Sequence, residues 1–282
     1  VTGERPGGRD HDRGRWWTMI SDARVRALAR QDGVTAGLAE KHYVNSWVLY
    51  AIASSPLCES LVFKGGTALS KLYFPDIWRF SEDLDFTATE QLTDIERTLE
   101  SGLADIEAES GITFEIRNMH AAGDPVEYVQ FDVQYDAVLG QKNTTDLDIT
   151  FDEPLVFPIV DHEHAFEDVP TFSLAAYSIE EIFVEKLRSL FQRARARDYY
   201  DVYRLLEQES FDDAEIVTAL REKARAHDVE IDLAQGVPEG DVDAVRAYWE
   251  QALNRLVTEQ ISFDMVVERI DAYLQQLGSV AE

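Results

Sequence analysis

Residues 64–86 read KGGTALSKLYFPDIWRFSEDLDF. Gly65-Gly66-Thr67 stands before a helix-like run that Pro75 stops, and fifteen residues separate Thr67 from Asp83-Leu84-Asp85. A helix that starts at these glycines leaves backbone N–H groups unpaired at its positive end, an arrangement suited to phosphate. The same residues also suit an ordinary helix start with Thr67 as its cap. They are not a P-loop, because no GxxxxGK[ST] occurs. On a strand, Asp83 and Asp85 project from one face with Cα atoms about 7 Å apart, while Leu84 and Phe86 turn to the core. Carboxylates so placed repel each other unless a cation lies between them. Mg²⁺ takes oxygen ligands and bridges carboxylates to substrate phosphates. The competing reading is an acidic surface strand or a turn.

Outward from this stretch, apolar spacing predicts helices over 19–34 and 38–54, the second ended by Ser54-Ser55-Pro56. Leu61-Val62-Phe63 is a short strand or a lead-in to the helix over 67–74. Thr93-x-x-Glu96 has the form of a capping box, opening a helix that Gly111 ends. Strand-like runs follow at 112–117, 128–135 and 147–151. Ser178-x-x-Glu181 is a second capping box, opening a helix to Arg193, and Ser210 precedes a helix over 212–227. A Gly236–Gly240 loop separates these from helices over 241–257 and 262–277. The reading is α+β: residues 1–17 a loose leader, 18–177 a core with a small mixed sheet and N-terminal helices, 178–282 a helical domain.

The composition sets bounds. Acidic residues number 54 against 26 basic ones, a net charge of −28 over 282 residues. Lysine occurs six times; the other basic residues are Arg. An acidic, Lys-poor chain suits a cytoplasm at molar salt, where the Debye length is about 3 Å, so an extreme halophile is the expected source. The rival reading is an acidic protein that avoids nucleic acid. Cys58 is the only cysteine, which excludes an internal disulfide and fits a reducing cytoplasm. No apolar run is long enough to span a bilayer, and the N-terminal residues lack the apolar segment of a signal peptide.

So acidic a chain produces Asp-x-Asp by chance, at Asp10/Asp12, Asp83/Asp85, Asp146/Asp148 and Asp241/Asp243. Asp148 nevertheless lies on a predicted strand, where a third carboxylate would complete a metal site or take a proton from an attacking hydroxyl. The alternative is another chance pair. The densest basic cluster holds Lys186, Arg188, Arg193, Arg195, Arg197 and Arg204. Lys186 and Arg193 share a helix face. Lys64, Lys71 and Lys186 keep lysine in a chain that otherwise uses Arg, which suggests contact with phosphate as compact point charges. The plainer reading is a salt-bridged helix with a Glu185–Arg188 pair, Asp198 as an N-cap and an Asp201–Arg204 pair. His162-x-His164 lacks the further ligands of a metal site.

Taken together, KGGTALSKLY (64–73), RFSEDLDF (79–86), DLDIT (146–150) and EEIFVEKLRSLFQRARARDYYDVYRL (180–205) resemble the AbiEii/AbiGii abortive-infection nucleotidyltransferase toxins, of the polymerase-β-like superfamily. The resemblance implies a minimal α+β nucleotidyltransferase core, a helical C-terminal region, Mg²⁺ (two ions) and an NTP. It implies that Lys64, Gly65, Gly66, Thr67, Ser81 and Lys186 bind nucleotide. It implies metal ligands at Asp83, Asp85 and Asp148, which with Lys186 and Asp198 form the catalytic set, Arg197 and Asp201 flanking Asp198. Thr67 stands where the superfamily usually has Ser, the gap from Thr67 to Asp83 is longer than in the simplest members, and Asp146 replaces an expected basic residue. The implied activity is transfer of an NMP to an acceptor hydroxyl, the 3′ end of tRNA in related toxins, with a cognate antitoxin. Arg188, Arg193, Arg197 and Arg204 are the expected tRNA contacts. The alternatives are a nucleotidyltransferase acting on a protein or small molecule, a non-catalytic nucleotide-binding partner protein, and a helical interaction protein that binds no NTP.

Overall fold

Alternation of apolar and polar residues decides the sheet. In β4 (Tyr128–Asp136), Val129, Phe131, Val133 and Tyr135 are buried, and in β5 (Asn143–Thr150) Leu147 and Ile149 are, with polar residues between them facing the other way. The computed structural model describes residues 19–75, 78–166, 168–257 and 259–281. The expected leader, 1–17, lies outside them.

The remaining strands are β1 (Leu61–Lys64), β2 (Leu84–Ala88), β3 (Thr113–Ala122), β6 (Ile159–His164) and β7 (Phe172–Tyr177). They form a seven-stranded sheet in the order β3-β4-β5-β2-β1-β7-β6. β2 runs parallel to β5 and antiparallel to β1, while β1 runs parallel to β7, so the sheet is mixed. Helices α1 (Asp22–Gln31) and α2 (Ala36–Ala53) precede it; a 3₁₀ turn, Pro56–Glu59, leads into β1. The glycines open α3 (Gly65–Ala68), which continues as a π-helical turn over Leu69–Tyr73. α4 (Ile95–Ser110) connects β2 to β3, and Gly111 ends it with φ 73°, where a side chain would be strained. The chain closes with α5 (Ile179–Gln192), α6 (Ala196–Gln208), α7 (Asp213–Ala226), α8 (Glu239–Leu253) and α9 (Phe263–Ala281). One hydrophobic core runs without a break from Trp47 and Phe86 through Phe131 and Phe183 to Leu274.

The structure confirms the α+β class and corrects several details. Thr93 does not cap α4: the cap position is Asp94, in left-handed conformation and without a side-chain bond. The Ser178 box is half formed. Ser178 Oγ accepts from the Glu181 N–H, but Glu181 turns its carboxylate to the Val156 and Phe157 N–H groups. The helix expected after Ser210 starts as α7 with Asp212 as its cap, accepting from the Ala214 and Glu215 N–H groups. β6 and β7 were not expected from the sequence. No described helix is long and apolar enough to cross a membrane.

Candidate active site

The glycine turn is held by close contacts on both sides. Lys64, the last residue of β1, pairs in register with Asp85 of β2. Gly65 follows with φ 80°, and a Cβ there would strike the Asp85 carboxylate. At Gly66 a Cβ would lie 2.5 Å from Arg79 Nη2 and 3.2 Å from Ser81 Oγ. Gly65 therefore lets the turn touch the carboxylate strand, and Gly66 leaves room for the Arg79 guanidinium and the Ser81 hydroxyl. Thr67 is fully buried, and its hydroxyl donates to the Asp83 carbonyl at 2.5 Å. That bond ties the turn to the start of β2. The side chain expected at the nucleotide is thus spent on the protein's own backbone.

Asp83 and Asp85 share a face, and Leu84 and Phe86 are buried on the other. The parallel pairing of β2 with β5 puts Asp148 beside Asp85 in register. Tyr128, on β4, donates its hydroxyl to Asp148 Oδ1 at 2.7 Å. Burial pushes the Asp85 carboxyl up to about 6; Lys64 and Lys186 oppose that, and Asp148 and Asp83 add to it. Burial also raises Asp148, against the hydrogen bonds from Tyr128 and Gln130. Asp146 is raised by burial and then by Asp83. Burial is the largest cause for all three carboxyls, and their acidic neighbours add to it. Among the described residues no three acidic, His or Cys side chains are already gathered around one point. Mg²⁺ keeps several waters and takes one or two carboxylates plus substrate phosphates, so the oxygen donors of Asp83, Asp85 and Asp148 fit it.

The basic residues divide sharply by partner. Lys64 Nζ reaches Glu185 Oε2 at 3.3 Å. Lys186 Nζ lies 2.9 Å from Asp198 Oδ1 and 3.2 Å from Asp201 Oδ2. Burial works against the Lys186 ammonium, but Asp198 and Asp201 outweigh it and leave its pKa raised. Burial likewise opposes ionised Asp198, and Lys186 and Arg193 overcome it, holding the carboxyl well below its usual range. Asp198 is not an N-cap; Arg195 takes that position. Arg79 clasps Asp201 with two bonds of 2.7 Å, and Trp78 Nε1 adds a third at 3.2 Å. Arg79 and Trp78 were missed in the sequence. Arg79 lies inside the RFSEDLDF motif, but its partner is 122 residues away, a separation that spacing rules do not cover.

Four expectations about cations are overturned. Arg188 is buried on Glu153 at 3.1 Å, so it offers nothing to an external phosphate. Its pairing with Glu185 is replaced by this contact and by Lys64–Glu185. Asp201 serves Arg79 and Lys186 rather than Arg204, whose guanidinium lies over the Tyr200 ring at 6.0 Å. Lys71 is buried away from the turn and donates to the His42 carbonyl and Ser46 Oγ, both at 2.8 Å. Arg193 is bound to Asp198 at 3.0 Å, and Arg197 lies 3.7 Å from Asp83. The structure thus brings Lys64, Gly65, Gly66, Ser81, Asp83, Asp85, Asp148, Lys186, Asp198 and Arg197 to one region, and leaves Arg188 outside it.

A family model described as nucleotidyl transferase AbiEii toxin, type IV toxin–antitoxin system, matches residues 47–276. Among solved structures, the fold is similar to MenT4, a nucleotidyltransferase toxin from Mycobacterium tuberculosis H37Rv. The TM-score is 0.66 at 20% identity, covering 92% of this chain and 90% of that one. It is also similar to JHP933 from Helicobacter pylori, with a TM-score of 0.57 at 20% identity over 87% of this chain and 94% of that one. A search of curated proteins finds no match.

Proposed function

The chain belongs to the AbiEii nucleotidyltransferase toxin family, and on that premise we propose that it transfers an NMP from an NTP to an acceptor hydroxyl, the 3′ end of tRNA, in the cytoplasm. The observation that carries this reading is the contact between the glycine turn and the carboxylate face, where Gly65 abuts Asp85 and Asp85 pairs with Asp148. A nucleoside triphosphate laid along the turn has its phosphates beside those carboxylates.

Each residue then has a task. The Gly65 and Gly66 backbone and Lys64 hold the triphosphate, with Ser81 at the edge of the turn. Lys186, kept charged by Asp198 and Asp201, adds a fixed positive charge near Asp85. Thr67 positions Asp83 through its carbonyl. Mg²⁺ held by Asp83, Asp85 and Asp148 would neutralise the triphosphate and the charge that develops on the leaving oxygen. Asp148, oriented by Tyr128, takes the proton of the acceptor hydroxyl as its oxygen attacks the α-phosphorus. The bond from that phosphorus to the β-phosphate oxygen breaks, and pyrophosphate leaves with the electron pair.

A second reading, a protein or small-molecule acceptor, is favoured by one observation. Arg188 and Arg193, two of the arginines expected on tRNA, are already bound to Glu153 and Asp198. The test is transfer in molar KCl and Mg²⁺, with each α-³²P NTP in turn, total tRNA, and Asp83→Ala in parallel. Label on tRNA that the substitution removes supports the first reading. Label on protein moves the conclusion to the second, and no label on any acceptor overturns both.

A further inference from the structure

We propose that Arg197 works in two positions, resting on Asp83 while the site is empty and moving to the triphosphate when cation and nucleotide enter. The proposal rests on the nucleotidyltransferase reading of the site and adds a residue to it. Arg197 lies in the first turn of α6, with Asp198 next in sequence. Asp198 is already engaged by Lys186 and Arg193, Asp201 by Arg79 and Lys186, and Glu185 by Lys64. Among the described residues Asp83 is the one carboxylate within ion-pair range of Arg197, and the 3.7 Å separation is too long for a hydrogen bond.

The contrast with its neighbour decides the matter. Arg79 is 2% exposed at the side chain and makes a two-pronged clasp on Asp201; the Arg197 side chain is 37% exposed and makes a single loose contact. Arg79 is a structural part, whereas Arg197 is free to swing on a long side chain. Its present place is also one a cation must take. Mg²⁺ on Asp83 repels a guanidinium at the same oxygen, so the two compete. The cation arrives with a triphosphate, and a planar guanidinium fork matches phosphate oxygens with charge-assisted bonds. The same side chain that opposes the bare cation therefore assists the nucleotide.

Removing it should change the two affinities in opposite directions, which loss of structural support would not do. Mn²⁺ binding to the nucleotide-free full chain is read by electron paramagnetic resonance. Binding of the non-hydrolysable α,β-imido analogues of the four NTPs is read by calorimetry with Ca²⁺ present. Arg197→Ala should bind Mn²⁺ a few-fold more tightly, the scale of a half-exposed ion pair. It should bind the preferred analogue about ten-fold more weakly, the scale of a lost charge-assisted contact. Arg197→Lys should return both values most of the way to those of the unsubstituted protein. If Arg197→Ala weakens both ligands, or leaves both unchanged, the proposal is overturned while the transferase reading stands. If the unsubstituted protein binds neither Mn²⁺ nor any analogue, that reading falls and this proposal with it.

Discussion

Asp85 stands in register between Lys64 on β1 and Asp148 on β5, and Gly65 closes over its carboxylate. Burial with two acidic neighbours raises it to about 6 from an ordinary value of 3.8, so the folded chain without a cation holds it at a cost. The sign follows from linkage. A carboxyl raised in the folded state binds protons more readily there than in the unfolded chain. Its penalty is therefore full above pH 6, shrinks as pH falls, and is gone below the unfolded pKa. Asp85→Asn should stabilise the cation-free protein at pH 8 on the order of 2 kcal/mol, and the gain should vanish by about pH 4. Urea titrations at the two pH values check this, and the same substitution should abolish transfer. An Asp85→Asn protein no more stable at pH 8 would show that ionised Asp85 bears no such penalty. Gly65→Ala should have the opposite effect on stability, a loss of about 1–3 kcal/mol, because it combines a left-handed backbone with a clash on Asp85. Legibility differs at this scale. The glycines and the Asp83/Asp85 pair were readable because local conformation and alternation are local rules. That the Thr67 hydroxyl is turned inward, and that Arg79 grips Asp201, depend on tertiary neighbours and were not.

At the scale of elements, α7 packs apolar residues into the core and adds a buried ammonium that reaches two carboxylates outside the helix. Lys223 is 0% exposed at the side chain and lies 2.7 Å from both Glu153 and Glu181, with the Pro154 carbonyl at 2.9 Å. Burial opposes its charge, but Glu185, Glu153 and Glu181 prevail and raise its pKa. Lys223→Met leaves buried Glu181 without its cation and Glu153 with Arg188 as its remaining buried cation, and should cost about 3–5 kcal/mol in urea unfolding. Adding Glu181→Gln to that chain should recover part of the loss, because Glu153 still has Arg188 as its partner; a Lys223→Met protein as stable as the original would show that the cluster does not hold α7. The sequence announced most of the helices because their apolar periodicity is long, and β2, β4 and β5 because their alternation is clean; α6, which follows α5 after a short break, was given no range of its own. β6, with Asp161, His162, Glu163 and His164 in a row, reads as polar, since an edge strand has little to bury. β7 contains Ala175 and Ala176, weak strand formers that join the sheet through pairing with β1 and β6. The failed Thr93 box has the same origin: Asp94 adopts φ 55° and takes over the helix start, which a four-residue motif does not foresee.

For the whole molecule the governing quantity is a net charge of −28. The pairs at the core of the site, Arg79 with Asp201 and Lys186 with Asp198, are buried and so little screened by salt. The surplus carboxylates are mainly a surface property, illustrated by exposed Glu90, Glu100, Asp105, Glu209, Glu239 and Asp241. Their mutual repulsion acts over about 10 Å at 0.1 M salt and about 3 Å at 1 M. Added KCl therefore removes a destabilising term while leaving the buried pairs almost untouched. Thermal unfolding should move upward between 0.1 and 2 M KCl by several degrees, about 2–4 °C for each kcal/mol of repulsion relieved in a chain of this size. The rise should be steepest below 1 M, where the screening length changes most, and an equal osmolarity of sucrose should reproduce only a small part of it. A flat or falling Tm would mean that surface repulsion is not what limits this fold. The acidic composition would then have to be explained by what the surface meets rather than by the salt around it.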